Sequence, residues 1–165
     1  MKMSDIVTEE NTHYLHPGNL FVHRNPHIVT TILGSCVAVC LWDPVNKIGG
    51  INHYMLPLWN GEGLPVPRFG NVAIKKLIEK MEQLGSNKKK LKAKVFGGAT
   101  IHDTSSGLLN VGSRNVLIAE DILAEERIPI ISSDMGGTRG RRLLFNTGTG
   151  SAKMRYIKKS AVNLK

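Results

Sequence analysis

The chain has 165 residues, of which 41% are apolar, and carries a formal net charge of +9 with a sequence pI near 9.8. This size and apolar content suit one globular domain with a continuous core, and they argue against a second full domain. No apolar run approaches the roughly 18 residues of a membrane-spanning helix, and the mixed, polar N-terminus lacks the apolar segment of a secretory signal. We therefore expect a soluble, cytoplasmic protein with no direct membrane insertion.

The positive charge is concentrated in the lysine-rich segment 88–94 and in the region from residue 139 to the C-terminus. This excess of positive charge favours binding to an acidic partner, which could be a nucleic acid, a membrane surface or an acidic protein. Aromatic residues make up only 5% of the chain and do not interleave with the basic clusters as stacking platforms would. We expect no nucleic-acid ligand, but a non-enzymatic basic adaptor or nucleic-acid-binding module stays open as an alternative from another functional class.

The predicted elements begin after a polar segment, residues 1–17, which we expect to be flexible; residues 18–165 form the predicted single domain. Strands are predicted over 20–22 and 28–33, followed by a hairpin of 36–42 and 48–55. The intervening Asp43-Pro44-Val45-Asn46 is typical of a type I turn, because Pro44 presets the backbone angle at the second position.

A Gly- and Pro-rich stretch, residues 58–70, is predicted to be a loop. A helix capped by Asn71 then runs to Leu84, and a second helix runs from about Arg114 to Arg127 behind the cap candidate Ser113. Further strands are predicted over 93–96, 128–132, 143–146 and 153–157. The pattern lacks strict strand–helix alternation. It predicts an α/β chain of the α+β type, with layered mixed or antiparallel sheets and helices packed on the outside.

The predicted hairpin brings a thiol and an imidazole together. If the turn is centred between Pro44 and Val45, residues whose numbers sum to 89 face one another, so Cys36 faces His53. A neighbouring base can convert a thiol into a thiolate nucleophile. The alternative, non-catalytic interpretation is a small buried cysteine beside a structural histidine, and the spacing alone does not exclude it.

Other kinds of site find little support in the sequence. Cys36 and Cys40 lie four residues apart in one predicted strand, too far for a disulfide, so we expect free thiols in a reducing compartment. The histidines lack paired metal-ligand spacing. The Gly-rich segments lack the Gly-Lys-Ser/Thr ending of a phosphate-binding loop. We predict no metal and no cofactor.

Several motifs, read together, resemble the chemoreceptor glutamine deamidases of bacterial chemotaxis, the CheD family. The resemblance covers about residues 18–157. Its most specific motifs are LGSCVAV, which contains Cys36, and GGINHYMLP, which contains His53; they occur in the right order and at the right separation. The further motifs are AKVFGGA at 93–99, IPI at 128–130 and DMGG through RR at 134–142.

The resemblance implies a single cysteine amidohydrolase domain that converts receptor glutamine to glutamate and ammonia. It implies that Cys36 is the nucleophile, His53 the general acid/base, and Thr30 the residue that orients the histidine. It implies methyl-accepting chemoreceptors as substrate and a CheC-type chemotaxis phosphatase as partner. We expect a monomer. Hydrolysis of receptor glutamyl methyl esters is an alternative within the same thiolate chemistry.

Overall fold

The computed structural model describes residues 11–100 and 110–158, which form three layers. Two α-helices cover one face of a five-stranded sheet, and a four-stranded sheet covers the other face. The strands are β1 Thr12–Tyr14, β2 Leu20–His23, β3 Ile28–Leu33, β4 Val37–Asp43, β5 Ile48–Asn52, β6 Lys92–Gly97, β7 Ile130–Met135, β8 Arg141–Asn146 and β9 Ala152–Tyr156; the helices are α1 Gly70–Gln83 and α2 Val111–Glu125.

Both sheets are mixed. The larger sheet has the order β2-β5-β4-β6-β7, and the smaller has the order β1-β3-β8-β9. Neighbouring strands pair antiparallel except β6 with β7 and β1 with β3, which are parallel. The predicted α+β class with layered mixed sheets and outer helices is confirmed. Neither described helix is long and apolar enough to cross a membrane.

Each face of the five-stranded sheet has its own apolar core. Val37, Val39 and Leu41 of β4 point to the helices, where they pack with apolar residues of α1 and α2. Ala38 and Cys40, the alternate residues of the same strand, point to the smaller sheet. A strand buried on both faces is apolar at successive positions, as β4 is from Val37 to Trp42, so the space between the sheets is a core and not a solvent channel.

The helix starts differ from the predicted ones. Helix α1 begins at Gly70 after Phe69, and Asn71 lies inside its first turn, where its side chain accepts a hydrogen bond from the Trp59 amide. Helix α2 is capped by Asn110, whose Oδ1 accepts the Ser113 amide at 2.8 Å. The predicted caps Asn71 and Ser113 are therefore wrong. Each lies within the first turn of its helix, whereas a cap is the residue that precedes the first turn.

A strand lies within the segment predicted to be flexible. Thr12–Tyr14 pairs with Ile28–Thr30, so regular structure begins before Gly18. Residues 1–10 of that segment and 159–165 of the predicted domain lie outside the described part of the chain.

The hairpin register is shifted by two residues from the prediction. Asp43 pairs with Ile48, and Cys40 pairs with Ile51, so facing residues sum to 91. The Asp43 side chain accepts the amides of Val45 and Asn46, and Lys47 adopts a left-handed backbone (φ 55°) that returns the chain. The loop therefore has four residues instead of two. A shift of two preserves the alternation of faces, so Cys36 and His53 still share a side of the sheet.

Candidate active site

The centre of the site is a histidine held by a threonine from the other sheet. His53 follows β5 and is 1% exposed, and its Nδ1 lies 2.7 Å from Oγ1 of Thr31 on β3. Thr31 is fully buried and points into the space between the sheets with Val29 and Leu33. The contact therefore joins the two layers through a pair of buried polar side chains.

Thr31 occupies the place that was predicted for Thr30. Successive residues of a strand point to opposite faces, and Thr30 lies with the exposed Ile32 on the outer face of the four-stranded sheet. The structure therefore brings Thr31, and not Thr30, into contact with His53. The segment is apolar on both faces of β3, so its hydrophobic pattern carried no signal for choosing between the two threonines.

The hydrogen bonds of Thr31 define the tautomer of His53. The Thr31 hydroxyl also lies 2.7 Å from the Leu15 carbonyl oxygen, which can only accept, so the single hydroxyl hydrogen is donated there. Nδ1 of His53 must then carry the hydrogen that it donates to Thr31 Oγ1. Nε2 is left as an unprotonated acceptor, and it is buried with no hydrogen-bond partner among the described residues. This is the form of imidazole that can act as a base.

Cys36 lies on the short connection between the two sheets. β3 ends at Leu33 in one sheet, and β4 begins at Val37 in the other. Cys36 is half-buried and packs against the apolar cluster between the sheets. Its carbonyl accepts the Gly98 amide at 2.9 Å, which ties the connection to the end of β6.

The backbone approaches Cys36 very closely from β6. Gly97 has a left-handed backbone angle (φ 112°), and a Cβ atom there would lie 2.2 Å from the Cys36 carbonyl oxygen. Only glycine fits this position without displacing the Cys36 segment.

The thiol and the imidazole share a face but are not directly opposite. Val37 bridges to Tyr54, so His53 lies across from Ala38 and diagonal to Cys36. Diagonal neighbours in an antiparallel pair are about 7–8 Å apart at the backbone, within reach of their side chains. No hydrogen bond joins the sulfur to Nε2 in this arrangement. The predicted direct opposition is wrong, while the shared face agrees with the prediction.

Burial keeps both groups neutral. Desolvation lowers the pKa of His53 to about 4, so the imidazole is uncharged at neutral pH. Desolvation raises the pKa of the Cys36 thiol above its usual value, and a hydrogen bond from its own backbone amide opposes this in part. The resting pair is therefore thiol and neutral imidazole, and a proton must move when the thiol is activated.

Asn115 of α2 joins the segments that carry Cys36 and His53, and sequence reasoning missed it. The side chain is fully buried, and its Nδ2 donates to the carbonyls of Ser35 at 2.9 Å and Met55 at 3.1 Å. Tyr54 donates its hydroxyl to the Asn115 carbonyl at 2.6 Å. A polar residue on the buried face of a predicted amphipathic helix was the only available signal.

Metal binding finds no support in the described residues. No group of three or more His, Cys, Asp or Glu side chains among residues 11–100 and 110–158 is arranged to hold an ion. The site in this part of the chain therefore consists of a thiol, an imidazole, a hydroxyl and backbone groups.

Comparison with known proteins identifies the family. The family model described as "CheD chemotactic sensory transduction" matches residues 55–156. The chain belongs to the CheD family. A relative from Sulfurimonas denitrificans, named a probable chemoreceptor glutamine deamidase CheD, is 48% identical over 89% of this chain and 95% of its own. A relative with the same description from Trichlorobacter lovleyi is 48% identical over 84% of this chain and 86% of its own. Another from Rhodospirillum rubrum is 40% identical over 92% of this chain and 85% of its own.

One solved structure also shows similarity to this CheD chain, but at a low level. The Bacillus licheniformis hypothetical protein YfiH aligns with a TM-score of 0.44 and 15% identity, over 65% of this chain and 46% of its own.

Proposed function

We propose that this protein is a cysteine amidohydrolase that deamidates glutamine side chains of bacterial chemoreceptors, which yields glutamate and ammonia. One observation carries the proposal: His53 is held as the Nδ1–H tautomer by Thr31, with a bare Nε2 on the same face as Cys36. The names of relatives that are 36–48% identical to this chain supply the substrate class.

The first half of the reaction forms a thioester. Nε2 of His53 takes the Cys36 proton, and the thiolate attacks the carboxamide carbon of the glutamine. The resulting tetrahedral oxyanion needs hydrogen-bond donors, and we assign this role to backbone amides of the Gly34-Ser35-Cys36 segment; each such donor is worth about 10²–10³ in rate. The C–N bond then breaks as His53 returns the proton to the departing ammonia.

The second half releases the product. Water, activated by Nε2 of His53, attacks the thioester carbon, the C–S bond breaks, and the Cys36 thiol regains its proton. Thr31 takes the orienting role: it holds the imidazole in one tautomer throughout, which is the part that a third residue plays in nucleophile–base–orienter triads. The net change replaces a neutral amide by a negative carboxylate, which alters the electrostatics of the receptor.

This function implies partners and a location. The receptor segments that carry such glutamines would be cytoplasmic, so the enzyme would act in the cytoplasm. A CheC-type phosphatase is the proposed protein partner. Neither a metal nor a cofactor enters the proposed steps.

Mass spectrometry of a receptor cytoplasmic domain incubated with the enzyme tests the proposal. We expect a gain of about one dalton at particular glutamines with the wild type and none with Cys36→Ala, because the nucleophile is removed. Cys40→Ala is the matched control, since that thiol is fully buried. Unchanged glutamines with the wild type, or equal turnover by Cys36→Ala, would contradict the proposal. Loss of methyl from glutamyl ester peptides without deamidation would instead indicate a methylesterase.

A further inference from the structure

The outer face of the four-stranded sheet carries an uncovered basic surface. The two helices lie on the far side of the other sheet, so no described element packs on this face. Its side chains alternate with those of the inter-sheet core, and Ile32 is 45% exposed. We define the basic face as the outward side chains of β3, β8 and β9 at the Cys36 end of the sheet: Thr30, Ile32, Arg142, Leu144, Lys153 and Arg155.

Three cations on this face form no ion pair with any described residue. Arg142, Lys153 and Arg155 are exposed, and neither ion pair of the described residues involves them. Arg142 lies directly opposite Arg155 across the β8–β9 ladder. Like charges in directly opposed positions destabilise a sheet. The pair therefore costs stability unless something acidic covers it.

Protection of a sheet edge explains only part of this charge. Cationic residues on an edge strand discourage unwanted pairing with other chains, which accounts for Lys153 and Arg155 on β9. Arg142 lies on β8, which is paired on both sides, so edge protection does not require it.

The cations line two adjoining grooves, and most of the surface of each groove is apolar. One, of about 200 Å³, is lined by Leu144, Met154 and all three cations. The other, of about 310 Å³, shares Arg142 and Arg155 and adds Tyr156, Ile157 and Lys158. A groove that combines apolar surface with cationic side chains suits a partner surface that combines acidic and apolar side chains.

The basic face lies beside the proposed nucleophile. Ile32 pairs with Arg142, and only three residues separate Ile32 from Cys36. The three strands span about 10 Å at the usual strand spacing, which matches the diameter of one α-helix with its side chains. A helix lying on this face would therefore pass close to the chain segment that leads from β3 to Cys36.

We propose that the basic face docks an acidic helix of the receptor substrate and thereby delivers the glutamine to Cys36. This inference rests on the proposed function, since it specifies how that substrate is recognised. Docking remote from the reacting amide improves binding of the whole receptor without changing the chemical step.

Charge reversal separates docking from chemistry. The double variant Arg142→Glu with Arg155→Glu is compared with Lys75→Glu with Lys76→Glu, which makes the same charge change on the exposed side of α1, across the molecule. Each enzyme is assayed on a receptor cytoplasmic domain and on a short peptide that carries the glutamine without acidic flanks. We expect the first variant to lower kcat/KM on the receptor about tenfold or more through KM at low salt, with a weaker salt dependence. The first variant should turn over the short peptide at the wild-type kcat/KM, and the α1 variant should match the wild type on both substrates.

Several outcomes would overturn the docking proposal. Equal losses in the two double variants would show a general effect of net charge. An equal loss on the short peptide would show damage to the site. Tight binding of a DNA duplex that is lost in Arg142→Glu with Arg155→Glu, while receptor turnover stays normal, would assign the face to nucleic acid. Absence of deamidation by the wild type would instead overturn the proposed function.

Discussion

At the scale of single residues, the chemistry depends on where one hydrogen lies. Leu15 offers only a carbonyl to Thr31, so the hydroxyl hydrogen goes to Leu15 and the imidazole hydrogen goes to Thr31. Nε2 of His53 then has a lone pair facing the side of the sheet where Cys36 lies. A single threonine thus fixes both the orientation and the tautomer of the proposed base.

Replacement of the two neighbouring threonines distinguishes their roles. Thr31→Val removes the acceptor for Nδ1–H, so we expect kcat to fall roughly a hundredfold, less than the ~10⁴ lost when a charged orienting residue is changed. Thr31→Ser should restore most of the activity. Thr30→Val is the control, because that side chain lies on the opposite face of β3. Values of kcat on the short glutamine peptide provide the comparison, because that substrate does not use the basic face to which Thr30 belongs, and a larger loss with Thr30→Val would refute the assignment.

The lowered pKa of His53 makes stability depend on pH. The folded imidazole resists protonation until about pH 4, whereas the unfolded one binds a proton near pH 6.5. The unfolded state therefore binds more protons between these values, and the free energy of unfolding should fall as the pH drops from 6.5 to 4, by about 3 kcal/mol from this group.

Denaturant titrations of the wild type and His53→Gln at several pH values measure that contribution. We expect the difference in free energy of unfolding between the two proteins to shrink as the pH falls through this window. His16→Gln, at an exposed position, is the control for a histidine outside the site. A histidine NMR titration that gives His53 an ordinary pKa near 6.5 would contradict the expectation.

At the scale of elements, the site depends on how three chain segments are fixed to one another. Asn115 binds the segment before Cys36 and the segment after His53 with one amide group. Gly97 lets β6 approach the Cys36 carbonyl. Helix α2 and strand β6 thus set the separation between thiol and imidazole without contributing a reacting atom.

Loss of the Asn115 amide should loosen both segments. Asn115→Leu leaves two carbonyls without a donor, so we expect the free energy of unfolding to fall by about 1–3 kcal/mol. We also expect kcat to fall at least tenfold while KM changes little, because the reacting groups lose their alignment. Asn87→Ala removes a remote cap and should lower stability alone. If kcat were unchanged in Asn115→Leu, the positioning role would be wrong.

Two glycine substitutions separate backbone strain from steric displacement of Cys36. Gly97→Ala and Gly136→Ala both place a side chain on a left-handed backbone, but only the first brings Cβ into contact with the Cys36 carbonyl, since nothing lies within 4 Å of the second. Both should lose about 1–2 kcal/mol of stability from strain. Only Gly97→Ala should also slow alkylation of Cys36 or deamidation by the enzyme. Equal activity in the two variants would contradict this.

Local sequence patterns predicted the elements better than the junctions between them. The amphipathic spacing in α1 and the short apolar runs in β3 and β8 indicated the right structures. The turn at Asp43-Pro44 was recognised, yet the left-handed Lys47, which no residue pattern marks, lengthened the loop and moved the register by two. Strand β1 was missed because three polar and aromatic residues have no core face of their own.

At the scale of the whole molecule, the layers determine which residues meet. Cys36 and His53 belong to one hairpin, so their proximity followed from local spacing. Thr31 comes from the other sheet, and Asn115 comes from a helix on the opposite face, so neither contact follows from local spacing. Within residues 11–100 and 110–158, the same layering leaves one face of the smaller sheet uncovered, and three cations that form no ion pair there lie on it.

Covalent capture of the substrate on Cys36 tests the central claim most directly. A receptor peptide that carries the target glutamine is mixed with the enzyme, quenched in acid within the first turnover, and analysed as intact protein by mass spectrometry. We predict an adduct on Cys36 equal to the peptide less one ammonia, absent in Cys36→Ala and much reduced in His53→Gln. Deamidation that proceeds at the wild-type rate in Cys36→Ala, with no adduct formed on the wild-type enzyme, would contradict the account.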